Sequence, residues 1–186
     1  MTLEGKRVAI LVAEGFEQVE MVEPRKALQD AGADTEIISP DSGEVQGWNH
    51  FDKADFFEVD TAVSEADAAD YDALLLPGGV ANPDQLRTNP DAVAFVKRFE
   101  DTGKPIGVIC HGPWTLIEAG VVKGRKITSW PSLKTDLTNA GAQWIDEEVV
   151  VDRGLVSSRN PGDLPAFCRK LIEEIAEGSH QSRRAA

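Results

Sequence analysis

Cysteine, histidine and tyrosine are scarce in this chain: two, three and one among 186 residues. Cys110 and Cys168 stand far apart, and the histidines are scattered. No zinc-type ligand spacing exists, and in a reducing compartment no disulfide is expected. Long apolar runs are also missing, since nothing approaches the roughly 18 residues of a membrane span. The first residues, MTLEGKRVAILVAEGF, pass from a polar turn into a strand without a small-residue cleavage site. The expected compartment is therefore the cytoplasm. No block of lysine and arginine occurs, and 32 acidic against 19 basic residues give a net charge of −13. That balance points away from nucleic acid and anionic membranes as partners and serves solubility. AEGFEQVE, after the first strand, lacks a Ser/Thr/Gly-rich phosphate cradle, so neither a flavin nor any other cofactor is expected.

What is present is an ordinary globular composition, 41% hydrophobic and 27% charged, in a chain long enough for a full core. Without repeats or linkers, residues 1–178 read as one domain and 179–186 as a flexible tail. Strand-like segments fall at 7–13, 35–39, 72–76 and 105–109, and in KITSW, VVVD and LVSSR. Helical spacing marks 19–31, 64–69, 90–102, 114–119, 132–140 and 164–177, while 40–60 suits a turn with one or two short edge strands. Alternation of this kind predicts a flavodoxin-like three-layer α/β/α sandwich around a mostly parallel sheet. A barrel would need about 250 residues.

The two cysteines read differently. Leu164, Phe167, Cys168, Leu171, Ile172 and Ile175 share one helical face, which makes Cys168 a small core hydrophobe. Cys110 falls in PIGVICHGPW, where a buried strand turns into a helix. Ligands in open parallel sheets bind beyond the carboxyl ends of strands. A helix N-terminus stabilises a thiolate and can lower its pKa from about 8.5 into the range ~3.5–7.5. His111 would favour the thiolate as base or cation, Gly112 permits a tight turn, and Pro113 suits the first helical turn. This is the geometry of a nucleophile elbow, the plainer alternative being a buried thiol beside a helix-capping histidine. Pro77-Gly78-Gly79 ends the neighbouring strand, so the Gly79 and His111 amides could form an oxyanion hole. Glu17 and Glu20, one turn apart, could present a carboxyl to the thiol. Trp48, Trp114 and Trp144 read as packing residues, His50 as a solvated loop residue, and His180 as part of the tail.

VAILVAEGFEQVEM, ALLLPGG, GKPIGVICHGPW and LVSSRNPGDLPAF together resemble the PfpI intracellular-protease family. Its superfamily includes the Parkinson-associated protein deglycase and class I glutamine amidotransferase-like domains. The resemblance covers nearly the whole chain. It implies that Cys110 is the nucleophile, His111 its partner, and Glu17 the carboxyl hydrogen-bonded to the sulfur and carrying a proton. It also implies that Gly79 and His111 supply the oxyanion amides. In protease-like members an acid from a neighbouring subunit, just after the PGG turn, completes a triad. Asp84 is the nearest acid here, in a segment one residue longer, and its use would require a homodimer or larger homo-oligomer. Trp130 stands where the deglycase branch often has histidine, which implies a broader, more apolar substrate pocket.

Three functions follow. The leading one is glyoxalase or deglycase chemistry on small reactive carbonyls or glycated protein in stress, needing only a thiolate, a proton carrier and an oxyanion hole. A cysteine peptidase or amidase is the alternative, acting on a peptide or protein substrate. The third is a redox-sensing stress chaperone without turnover.

Overall fold

The computed structural model describes residues 1–179, so His180 and the remainder of the expected tail lie outside the described residues. From the N-terminus, β1 (Arg7–Leu11) and β2 (Phe16–Glu17) lead into α1 (Gln18–Asp30). Next come β3 (Asp34–Ser39), β4 (Glu44–Asn49), β5 (Asp52–Glu58), β6 (Thr61–Ala62), β7 (Ala73–Leu76), α2 (Ala81–Leu86) and α3 (Pro90–Asp101). After β8 (Ile106–Ile109) follow α4 (Pro113–Glu118), β9 (Lys126–Ile127), α5 (Lys134–Asn139) and β10 (Gln143–Trp144). The last elements are β11 (Val150–Asp152), β12 (Leu155–Ser158) and α6 (Leu164–Glu177).

The central sheet has seven strands in the order β11-β12-β8-β7-β1-β3-β6. All neighbours run parallel except β11, which is antiparallel to β12. Successive strand side chains point to opposite faces. Val8 and Ile10 accordingly enter one core with Met21 and Leu28 of α1 and Phe167, Leu171 and Ile175 of α6. Ala9 and Leu11 enter the other with Phe95, Val96 and Phe99 of α3 and Leu116 of α4. Burial on both faces is why RVAIL, ALLL and IGVI read as continuous apolar runs. The result is the flavodoxin-like three-layer sandwich that the alternation of elements implies. No described helix is long and apolar enough to cross a membrane.

Several elements depart from the sequence expectation. The helix expected at 64–69 is a turn followed by a single 3-10 turn at Ala68–Asp70. There the Asp67 carboxylate accepts the Ala69 N–H at 2.9 Å, closing a local turn in place of a longer helix. Residues 40–60 do not edge the main sheet. β4 and β5 form a hairpin that joins β2 in a separate three-stranded sheet. KITSW keeps only β9, paired with β10, because the Thr128 N–H turns to the Ser157 hydroxyl at 3.0 Å. The short α2 carries no strong apolar periodicity and was not expected.

The chain leaves β1 for β3 on one side and returns at β7 on the other. Such a reversal opens a crevice beyond the carboxyl ends of the strands. The PGG turn after β7 and the turn after β8 both end there.

Candidate active site

Cys110 links β8 to α4 with φ of +60°, an uncommon conformation for a residue with a side chain. Its backbone is held at both ends. The N–H donates to the Ser158 carbonyl at 3.1 Å, and the carbonyl accepts the Trp130 N–H at 2.9 Å. Gly112 closes the turn where no side chain fits, since a Cβ would lie 2.8 Å from both the Leu76 carbonyl oxygen and Val108 Cγ2. Pro113 opens α4, where its missing N–H costs nothing. The expected elbow is thus formed.

The sulfur is nearly buried, with Cys110 only 7% exposed. The N–H groups of Gly79 and His111 both donate to it, which places the two amides expected to form an oxyanion hole at the reacting atom. Gly79 can approach because its φ is +79°, and a Cβ would meet the Glu17 nitrogen and the Gly15 oxygen at 2.7 Å. His111 Nδ1 lies 3.2 Å from Sγ, while Nε2 is 3.4 Å from the Ser132 hydroxyl. Burial lowers the imidazole pKa, which of the two expected forms, base or cation, favours the neutral base. Trp130 stacks on this ring at 5.8 Å and Trp114 meets it edge-on at 5.2 Å.

The carboxyl at the sulfur is Glu20, and this corrects the placement that the resemblance gave to Glu17. Glu20 is fully buried, its Oε2 accepts the Gly78 N–H at 3.0 Å, and its carboxyl hydrogen-bonds the Cys110 thiol. Helical side chains lean towards the N-terminus, so a residue one turn inside α1 reaches back to the PGG turn. Glu17, at the residue before α1, instead accepts the His50 N–H at 3.0 Å and lies 3.5 Å from His50 Nδ1. Burial, then the charge of Glu17, push Glu20 up to about 8. Its Oε1 is buried without a partner, which suits a neutral acid better than a carboxylate.

The thiol also departs from expectation. Burial and an ionised Glu20 push it up, and the Gly79 and His111 amides pull it down without prevailing. The helix N-terminus favours the thiolate, but desolvation of the buried sulfur outweighs it. A proton on Glu20 removes the largest charge opposing the thiolate and turns that carboxyl into a donor towards sulfur. Cys168 is a contrast. It is half-buried beside α6's core face, and burial together with Glu23 pushes it up to about 11.

A cavity of about 510 Å³ opens above Cys110, lined by residues that include Glu17, Glu20, Gly79, His111 and Trp130. Asp84 lies on the exposed side of α2 and does not line it, so within one chain Asp84 and Cys110 are not brought together. His50 is exposed as expected, yet it borders the cavity with Phe51 at the hairpin tip. Trp48 lines it too, packed over Gly15.

Asn82 is a residue that sequence reasoning missed. It is fully buried, accepts the Ala13 N–H at 2.7 Å, and donates to the Pro77 and Gly78 carbonyls at 3.0 Å each. It ties the end of β1 to the turn that carries both the Glu20 and the Cys110 contacts. Asn82→Ala should cost about 3 kcal/mol, because buried backbone groups lose their partners. Urea unfolding would measure this, and iodoacetamide labelling should show a changed Cys110 rate. Unaltered labelling would mean that the turn holds its shape unaided.

The sandwich and the strained strand-end cysteine define a class of α/β proteins with a thiol at the sheet's carboxyl edge. Residues 6–174 match the family described as DJ-1/PfpI, and the chain belongs to that family. It is 45% identical over 167 residues to Deglycase TK1284 of Thermococcus kodakarensis, covering 90% of this chain and 98% of the relative. It is 42% identical over 170 residues to General stress protein 18 of Bacillus subtilis, covering 90% and 96%. Among solved structures it matches a two-domain protein from Anabaena variabilis with DJ-1/ThiJ/PfpI-like and ferritin-like domains. That match has a TM-score of 0.87 and 34% identity, covering 97% of this chain and 52% of the other.

Proposed function

We propose that the protein is a cofactor-independent enzyme that converts reactive α-oxoaldehydes, free or attached to protein, into hydroxy acids. The observation that carries this reading is the contact between Glu20, fit to hold a proton at neutral pH, and a thiol flanked by two backbone donors. The names of relatives such as Deglycase TK1284 agree with it.

In this mechanism the Cys110 sulfur adds to the aldehyde carbon of methylglyoxal. The carbonyl electron pair moves to oxygen, which the Gly79 and His111 amides stabilise. Protonation gives a hemithioacetal. Glu20, having given up its proton, takes the C1 hydrogen as a proton and returns it at C2, while the hydroxyl proton on the C1 oxygen passes to the C2 oxygen, which leaves a thioester of lactate. Water then attacks the thioester, lactate departs, and the thiol regains its proton. One methylglyoxal and one water make one lactate, with no net oxidation. His111, neutral and 3.2 Å from sulfur, is placed to accept the thiol proton at the start.

A peptidase would need an acid beyond His111, and Asp84 could supply it only from a second copy of the chain. The carbonyl reading needs nothing outside one chain. Lactate formation from methylglyoxal without glutathione, followed by NMR, tests it. Wild type should turn over many times, and Cys110→Ser should fall by at least about a thousandfold. Product made equally by both proteins would remove Cys110 from the chemistry.

A further inference from the structure

Phe51, Val80 and Trp130 are 90%, 53% and 40% exposed, three of the few large apolar side chains left so among the described residues. They come from the tip of the β4–β5 hairpin, the segment after Gly79 and the segment after Ser129. All three nevertheless line the cavity above Cys110. Scattered exposed apolar residues need no explanation, but their convergence on one concave site marks a ligand surface. A three-carbon dicarbonyl would fill only a small part of about 510 Å³, a volume within the range used for drug-sized ligands. The charge pattern narrows the ligand further. No lysine or arginine lines the cavity; of its two histidines, His50 is already held against the Glu17 carboxylate and burial favours the neutral ring of His111, so the lining offers an anionic substituent no unpaired cation.

We infer that the site selects uncharged α-oxoaldehydes bearing a bulky apolar substituent, an aryl ring above all. The reacting carbon lies at Cys110, and the ring packs against Phe51, Val80 and the face of Trp130 turned away from His111. Aromatic pairs of this kind add to the gain from burying the ring. The selection rests on the carbonyl chemistry proposed above, and binding measured without turnover separates the two.

The experiment uses Cys110→Ala protein and two unreactive hydroxyketones, 2-hydroxyacetophenone and hydroxyacetone, by calorimetry. The aryl compound should bind at least about tenfold more tightly. Phe51→Ser should reduce that ratio severalfold, whereas Phe56→Ser, exposed on β5 outside the cavity, should leave it unchanged. Equal affinities would overturn the inference, and a ratio insensitive to Phe51→Ser would overturn the placement of the ring. In wild type, kcat/KM for phenylglyoxal should exceed that for glyoxal by a similar factor. Absent turnover with the binding ratio intact would sink the proposed chemistry and leave the ligand class standing. Turnover without a preference for the aryl substrate would do the reverse.

Discussion

Glu20→Gln is expected to stabilise the protein in mildly alkaline solution while lowering its turnover. The carboxyl is raised from 4.5 to about 8 by burial and by Glu17. The folded state therefore holds a proton that the unfolded state releases above pH 4.5. In that window the unfolded chain binds fewer protons, so unfolding free energy falls with rising pH by about 1.4 kcal/mol per unit. The stability is fully present below 4.5 and lost as pH passes about 8, amounting to no more than about 5 kcal/mol. Glutamine carries no charge to desolvate, so this contribution to the slope should be absent from the variant, and the difference between the two proteins isolates it. The melting temperatures of the two proteins should nearly coincide at pH 5 and differ by about 10 °C at pH 8.5, the variant higher. Turnover should drop by about 10²–10⁴, because glutamine cannot carry the proton between carbons. A stability difference independent of pH would show that Glu20 is ionised throughout, and the proposed proton carrier would be lost with it.

Gly78→Ala should harm both folding and activity. A Cβ at this position would stand 2.5 Å from Glu20 Oε2, 2.6 Å from Cys110 Cβ and 2.9 Å from the Ile109 oxygen. Those atoms belong to α1, the elbow and β8, so relief at one contact worsens another. Overpacking of this kind costs about 1–3 kcal/mol. Its site of action makes the chemical effect larger: the methyl group wedges Glu20 away from sulfur, and turnover should fall more than about a hundredfold. Gly120→Ala is the useful contrast. Its φ of +73° makes alanine unfavourable, but no atom lies within 4 Å of the added Cβ. It should lose about 1 kcal/mol and keep its activity. Equal activity in Gly78→Ala and wild type would mean that Glu20 and Cys110 need not touch.

Most of the scaffold was legible because its strands are buried on both faces and its longer helices are amphipathic. α6 spans the segment that its apolar spacing marks, and Cys110 was found from a Cys-His pair at a strand end. Gly79 followed from the glycine pair that ends β7. The failures have physical causes. Glu17, just before α1, and Glu20, in its first turn, lie three residues apart, and only the helix's seating on the PGG turn decides which reaches sulfur. Asn82 bonds to backbone groups that any sequence would supply, so nothing in its neighbours advertises it. Phe51 reaches the cavity through the three-stranded sheet, a long-range arrangement in a segment whose local pattern shows only a hairpin. The thiol's pKa depends on burial, which local sequence does not report.

The two thiols give the protein a built-in clock for its own integrity. Cys110 owes its surroundings to β2 and α1, the turn after β7, the end of β12 and the segment at Trp130, all distant in sequence. Where the chain opens enough to break these contacts, Cys110 should react as an ordinary exposed thiol. Cys168, carried by one helix and half-open already, would change its rate much less when the sheet opens. The ratio of the two labelling rates, read by mass spectrometry on a single sample, therefore reports loss of the assembled centre separately from fraying of the last helix.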